Sequence, residues 1–165
     1  MVQAYLSAPI IHSGLRKDDF CSVAVKVLED KGITVFAPQF LGPAHPLVIY
    51  KRDVENVMKS DLVIAEITNP SLGVGMEIML SIESMKPLLL FYNGDVEQLS
   101  KMVRGAPGKV LFIYDSLEDV DRILRGFNLD SLLVLKCAYC DSHVAEVIED
   151  RIHCVGCGSI ISGGE

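Results

Sequence analysis

The sequence predicts an α/β protein with a three-layer fold, in which helices cover both faces of a five-stranded parallel sheet, followed by a small zinc ribbon. Two observations carry this prediction. Five short apolar runs alternate with longer segments whose apolar residues recur every three or four positions, which is the pattern of successive β–α units. Beyond residue 130 the composition changes, and four of the five cysteines fall within the last 29 residues.

The apolar runs and the segments between them predict the individual elements in order. The predicted strands are 2–8, 33–38, 61–67, 87–92 and 109–114. The predicted helices are 16–32, 47–60, 75–86, 96–105 and 116–127. In the first helix, Val23, Val27 and Leu28 show the helical spacing, and Gly32 is a C-terminal stop signal. Ligands are expected just outside the carboxyl ends of such parallel strands.

Composition and charge exclude several classes of protein. Half of the 165 residues are hydrophobic, so a packed core is expected. The net charge of −7 argues against a general nucleic-acid surface. No apolar run is long enough to span a bilayer, and the stretch MVQAYLSAPI has no signal-peptide pattern. We therefore expect a cytoplasmic protein without membrane contacts.

The cysteine spacing predicts a metal-binding ribbon at 131–165, after an α/β domain at 1–130. Two CxxC motifs are separated by thirteen residues, and two such knuckles can form a tetrahedral site of four sulfurs. The predicted ligands are Cys137, Cys140, Cys154 and Cys157. Zinc in a structural role is expected, while iron with the same ligands and four unrelated thiols are the alternatives. Metal binding would supply the folding energy of so short a ribbon.

The segment SDLVIAEITNPSLGVGMEI at 60–78 combines a buried strand, an Asn-Pro-Ser turn, a Gly-x-Gly pair and Glu77. This order places Glu77 in the first turn of a helix at the mouth of the sheet. There a carboxylate can stabilise the helix through a favourable interaction with the helix dipole. Alternatively, the amides at the start of the helix keep the carboxylate ionised, so that it can attack an anomeric carbon. The glycines would leave room for a substrate.

Attack on an anomeric carbon needs a second carboxylate or a hydrogen-bonded phenol that assists the leaving group or holds the sugar. By topology the nearest candidates are Asp53, on the helix before the third strand, and Tyr5, in the first strand. Asp61 and Glu66 are explained as strand-start and strand-end carboxylates. Glu77, Asp53 and Tyr5 are therefore the predicted catalytic residues.

Three segments resemble the nucleoside 2-deoxyribosyltransferase superfamily, and within it the 2'-deoxynucleoside 5'-phosphate N-hydrolases. They are YLSAPI, KRDVENVMKSDLVIAEITNPSLGVGMEI and LSKMVRGA. The resemblance covers about residues 3–115 and excludes the ribbon. It implies a flavodoxin-like, Rossmann-like fold, a homodimer, and cleavage of the N-glycosidic bond between a base and deoxyribose.

The resemblance also implies roles for individual residues. Glu77 corresponds to the nucleophile that attacks C1', Asp53 to the aspartate that engages the sugar and assists base departure, and Tyr5 to the active-site tyrosine. Ser100 corresponds to a serine that reaches the phosphate site of the neighbouring subunit. The positions that correspond to substrate-binding loops are Ser71, Gly73, Gly75, Ala8, Ile10 and His12.

Ser71 and the first loop bear on whether the substrate is a nucleotide. Transferases of the superfamily carry an aspartate where this chain has Ser71, and a serine hydroxyl can donate to a phosphate that a carboxylate would repel. By itself, Ser71 is a helix cap or turn hydroxyl. The hydrolases have Gly-Ser-Ile-Arg-Gly-Gly in the first loop, whereas this chain has APIIHSG. His12 either replaces that arginine or is a surface residue, and Arg16 adds positive potential.

The sequence thus predicts an N-glycosidase that hydrolyses deoxynucleoside 5'-monophosphates through a glutamate glycosyl-enzyme, with no cofactor needed for catalysis. A nucleoside 2-deoxyribosyltransferase that exchanges bases is the alternative, and a non-catalytic nucleotide-binding module is the second. In the ribbon, four acidic residues outnumber the basic residues Lys136 and Arg151. We therefore expect the ribbon to support packing or a dimer rather than to bind nucleic acid.

Overall fold

The computed structural model describes residues 1–161, and within them the predicted three-layer α/β fold is confirmed. The main sheet contains β1 (Gln3–Ser7), β2 (Thr34–Phe36), β3 (Leu62–Glu66), β4 (Leu88–Tyr92) and β5 (Lys109–Ile113). The helices are α1 (Asp18–Asp30), α2 (Pro46–Lys59), α3 (Leu72–Glu83), α4 (Lys101–Gly105) and α5 (Leu117–Arg125). The strands are parallel in the order β2-β1-β3-β4-β5, which is the flavodoxin-like order.

Two apolar cores lie on opposite faces of the sheet, because successive side chains of a strand point to opposite sides. One core joins β1, β3 and β4 to α1 and α5, with Leu6 and Phe91 at its centre. The other joins the same strands to α2 and α3, and it contains Tyr5 and Leu90. The helices that carry Asp53 and Glu77 therefore cover the face of the sheet to which Tyr5 points.

Two helices differ from the predicted elements. The helix predicted from residue 75 begins at Leu72, because the Ser71 hydroxyl caps it by accepting a hydrogen bond from the Val74 amide. The helix predicted at 96–105 divides into a 3-10 turn at Val96–Gln98 and the short α4, because the chain is extended at the buried Leu99.

The chain after α5 forms a second, antiparallel sheet that packs against the α/β domain. Its strands are β6 (Leu133–Val134), β7 (Val144–Ile148) and β8 (Arg151–Cys154). Val144 and Val155 join the apolar core beside α5. The His143 amide also donates to the Lys109 carbonyl of β5 at 2.8 Å. The end of the predicted ribbon, 162–165, lies outside the described residues.

Across residues 1–161, the structure contains no helix with the length and apolar character that crossing a membrane requires.

Candidate active site and metal centre

The Glu77 carboxylate lies against β1. Because α3 begins at Leu72, Glu77 is in the second turn, so the prediction of a first-turn carboxylate held by helix-start amides is wrong. The first turn contains no acidic residue, and the helix-dipole explanation of Glu77 fails for the same reason. Two hydroxyls hold the carboxylate instead: Tyr5 Oη donates to Oε1 at 2.7 Å, and Ser7 Oγ donates to Oε2.

Strand β1 brings both hydroxyls to the same place. Tyr5 and Ser7 are two residues apart, so their side chains point to the same face, and both are buried. The Tyr5 ring also stacks on Phe36 of β2, with 5.6 Å between ring centroids. Ser7 is absent from the predicted site residues, although its two-residue spacing from Tyr5 is the signal that identifies it.

The surroundings of Glu77 shift two pKa values upward. Burial raises the pKa of Glu77 above the ordinary carboxyl value, and the hydrogen bonds from Ser7 and Tyr5 oppose this shift. Burial and the neighbouring Glu77 carboxylate raise the pKa of Tyr5, so its phenol stays protonated at neutral pH. Both carboxylate oxygens are thus oriented by neutral donors in a largely buried position.

A cavity of about 390 Å³ opens beside Glu77, between the first loop, α2 and α3. The predicted residues that line it are Glu77, Asp53, Ser71, Gly73, Ala8 and Ile10. Asp53 Oδ1 accepts a hydrogen bond from Arg52 Nε at 2.7 Å. A Cβ atom at Gly73 would meet nothing closer than the Ser71 hydroxyl at 4.0 Å. The cavity thus brings the two predicted carboxylates together beside open space.

His12 is not brought to this cavity. It is an exposed loop residue, so its replacement of the arginine in the first loop is not supported, and Arg16 lines the cavity instead. The Arg16 guanidinium donates to the carbonyl of Gln39 at 3.0 Å and pairs with Asp18 at 2.9 Å. The structure therefore places a fixed cation beside the cavity that contains Glu77.

Ser100 and Gly75 line a different cavity, of about 230 Å³, which Ser71 also borders. Ser71 thus lies between the two cavities. Its oxygen caps α3, which leaves its hydroxyl proton available to donate to a ligand. Ser100 is exposed and does not line the Glu77 cavity of its own chain.

A second buried carboxylate, Glu66, lies on the opposite face of the sheet. Its Oε1 accepts hydrogen bonds from Tyr114 Oη at 2.9 Å and from the Thr68 hydroxyl, whereas Oε2 has no partner among the described residues. The Thr68 hydroxyl accepts from the Asn93 amide at 3.0 Å. Glu66 therefore ties together the chain segments that follow β3, β4 and β5, and its partner Thr68 lies three residues before Ser71. The signal for it is an acidic residue in an otherwise apolar strand.

The four predicted metal ligands form a group that can bind a metal, since their sulfur atoms all lie within 4.8 Å of one another. The Sγ–Sγ distance is 3.7 Å for Cys137 and Cys157 and 3.6 Å for Cys140 and Cys154. A tetrahedral zinc with Zn–S bonds of about 2.3 Å needs sulfurs about 3.8 Å apart, so this donor set fits the ion. The Gly156 amide donates to Cys154 Sγ at 3.3 Å, as a metal knuckle requires.

Comparison with known proteins gives similarity over about half of the chain. No protein-family model matches the sequence. The 5-hydroxymethyl-dUMP N-hydrolase of Branchiostoma floridae is 42% identical over 84 residues, which are 49% of this chain and 80% of that protein. That of Tetraodon nigroviridis is 39% identical over 82 residues, which are 48% of this chain and 58% of that protein. A Nematostella vectensis protein named for 2'-deoxynucleoside 5'-phosphate N-hydrolase activity is 40% identical over 82 residues, 48% of this chain and 56% of its own. The chain thus spans little more than half the length of the latter two.

Solved structures share the fold over a larger part of the chain. The CMP N-glycosidase of Clostridium botulinum superposes with a TM-score of 0.63 at 21% identity, covering 76% of this chain and 99% of that one. The 2-deoxyribosyltransferase of Bacillus psychrosaccharolyticus gives 0.59 at 21% identity, covering 78% and 94%. At these identities the similarity concerns the fold alone.

Proposed function

This chain belongs to the family of the 2'-deoxynucleoside 5'-phosphate N-hydrolases, and on that premise we propose that it hydrolyses the N-glycosidic bond of a deoxynucleoside 5'-monophosphate. The products are the free base and deoxyribose 5-phosphate. One observation carries the proposal. The Glu77 carboxylate accepts hydrogen bonds from Tyr5 and Ser7 at the edge of a cavity that Asp53 also lines.

In the proposed reaction Glu77 is the nucleophile. One of its oxygens bonds to C1' while the C1'–N bond breaks, and the base departs with the bonding electrons and takes up a proton. Water then attacks C1' of the glycosyl ester, so that its hydroxyl stays on the sugar and its proton leaves. Glu77 is thereby restored. Tyr5 and Ser7 keep the carboxylate directed at C1' throughout.

The remaining cavity residues bind the substrate. We assign Asp53 to the sugar and to the departure of the base, since Arg52 fixes its orientation. Ser71, with the chain at Gly73, receives the 5'-phosphate together with Ala8 and Ile10 of the first loop, and Gly75 contributes from the adjoining cavity that Ser71 also borders. Arg16 adds a guanidinium that lines the same cavity.

We further propose a homodimer in which Ser100 completes the phosphate site of the neighbouring subunit. Ser100 is exposed and lies outside the Glu77 cavity of its own chain, so a neighbouring copy can reach it. Helices α2 and α3 also expose large apolar side chains that a second copy would cover. They include Leu47, Val48, Tyr50, Leu72, Met76 and Met79.

The proposal divides the chain into an α/β domain at 1–130 and a ribbon at 131–165 that holds a structural zinc. The cysteines are unpaired by disulfides, and thiol ligands of this kind suit the cytoplasm.

Base release measured by chromatography tests the function. The protein would be incubated with deoxynucleoside 5'-monophosphates and with the matching nucleosides, each with and without an acceptor base. Release from the monophosphates, abolished in Glu77→Gln while nucleotide binding persists, is the expected result. Exchange of bases between nucleosides would identify a transferase. Binding without turnover on every substrate would identify a nucleotide-binding module.

A further inference from the structure

Lys109, the first residue of β5, is a largely buried lysine that faces the carboxylate of Asp141 across a cleft. Its exposed fraction is 5%, yet none of the ion pairs within residues 1–161 includes it. Its ammonium donates no hydrogen bond to another described residue either. A partly buried ammonium that forms no ion pair is stabilised by negative charge close by, and Asp141 supplies one such charge.

The Lys109 side chain lines a cleft of about 420 Å³ between the α/β domain and the first cysteine knuckle. Cys140, Asp141 and Ser142 line the same cleft. The backbone joins the two sides, because the His143 amide donates to the Lys109 carbonyl at 2.8 Å. Lys109 is therefore held beside the segment that supplies one of the metal ligands.

Two other cations near the knuckle have charges that are already paired or screened by solvent. Arg104 lines the cleft but pairs with Glu97 at 3.1 Å. Lys136 precedes the first ligand and is exposed to solvent, which screens its charge. Of these three cations, Lys109 is the one that is largely buried and forms no ion pair with the described residues.

A divalent metal with four thiolates carries a net charge of about −2. We propose that Lys109 is the cation that compensates the negative charge of this metal–tetrathiolate centre and thereby couples metal binding to the docking of the ribbon on β5. The coupling is reciprocal: docking strengthens metal binding, and loss of the metal loosens the contact with β5. The inference concerns the metal centre and does not depend on the proposed catalytic activity.

Zinc affinity of the full chain, measured by competition with a chromophoric chelator, tests this assignment. Lys109→Met keeps the length of the side chain and removes its charge, and a lowering of zinc affinity by about 10- to 100-fold is expected, as for other residues around metal ligands. Lys109→Arg should restore most of the affinity. Lys136→Met is the matched control, because it removes a solvated charge next to a ligand, and its affinity should stay within about twofold of the wild type.

Asp141→Asn distinguishes the alternative in which Lys109 serves Asp141 alone. Under the proposal, this change leaves zinc affinity equal or higher. A zinc affinity of Lys109→Met equal to that of the wild type would overturn the proposal, as would an equal loss of affinity in Asp141→Asn.

Hydrogen exchange gives a second readout, because removal of the metal by a chelator should speed exchange at the His143 amide. Unchanged protection there after complete metal removal would contradict the coupling. Far-UV circular dichroism establishes that each variant retains the α/β fold.

Discussion

The Tyr5 hydroxyl donates a 2.7 Å hydrogen bond to Glu77 across 72 positions of the sequence. Tyr5 is on β1 and Glu77 is on the helix that follows β3, and these two strands are neighbours in the sheet. The sheet order reverses at this pair, which is where flavodoxin-like folds bind ligands. The strand order thus brings two residues that are distant in the sequence together, as a hydrogen-bonded hydroxyl and carboxylate beside a cavity.

Removing a donor to Glu77 should shift the acidic limb of the pH profile. Glu77 must be ionised to attack, and the bonds from Tyr5 and Ser7 lower its pKa against the effect of burial. In Tyr5→Phe or Ser7→Ala the pKa of Glu77 should rise, so kcat/KM should begin to fall at a higher pH than in the wild type. At neutral pH we expect a loss of about 10- to 100-fold. Tyr139→Phe, on the exposed ribbon surface, is the control, and an unshifted limb in both active-site variants would refute the pairing.

Glu77→Gln should stabilise the fold at neutral pH while it abolishes turnover. The folded pKa of Glu77 is raised by burial, so stability is greatest below the unfolded carboxyl pKa and is lost as the pH rises through the folded value. A neutral glutamine avoids that loss. Urea unfolding from pH 4 to 8 should therefore show a stability gain that disappears in acid. A gain that persists unchanged at pH 4 would assign the effect to packing.

Loss of the Glu66 carboxylate should loosen the chain that leads to Ser71. Glu66→Leu leaves Tyr114 and Thr68 without their acceptor, at a cost of about 2–4 kcal/mol in the free energy of unfolding. It should also raise KM for the nucleotide. Glu66→Gln keeps one carbonyl oxygen and should cost much less, and equal destabilisation by the two changes would argue against the hydrogen bonds as the cause.

Mixed subunits should reveal whether Ser100 acts in the neighbouring site. Glu77→Gln and Ser100→Ala chains are each expected to be weak or inactive as homodimers. In a mixed dimer, one site combines Glu77 of one chain with Ser100 of the other, so activity should return on mixing. If mixing after reversible dissociation restores nothing, then Ser100 works within its own chain or not at all.

Removing the metal should unfold the ribbon and leave the catalytic rate of the α/β domain nearly unchanged. The ribbon contacts β5 and the α5 face of the sheet, whereas Glu77 lies on the other face. A strong zinc chelator, or Cys154→Ser, should lower the Tm and increase proteolysis after residue 130. Well below that Tm, kcat should stay within about twofold of the holoprotein. A complete loss of turnover in the intact α/β domain would give the metal a role in catalysis.

Local patterns of the sequence were sufficient for the five β–α units, because apolar periodicity reports which face of each element is buried. The spacing of the CxxC pairs was sufficient for the metal ligands, since a knuckle is formed by residues next to one another. The first turn of α3 was misplaced because the Ser71 cap, two residues upstream of Gly-x-Gly, decides where the helix begins.

By itself, then, the sequence determined the class of fold and the cluster of four cysteines, and through resemblance it singled out Glu77, Asp53 and Tyr5. The tertiary structure alone decided that Ser7 completes the hold on Glu77, that Arg16 rather than His12 lines the cavity, and that Lys109 lies beside the cysteine knuckle. These contacts join residues of different strands and loops, often tens of positions apart. The spacing of Tyr5 and Ser7 shows that they share a face, but no short pattern specifies the contacts themselves, because these arise when strand order and helix packing bring separate side chains to one place.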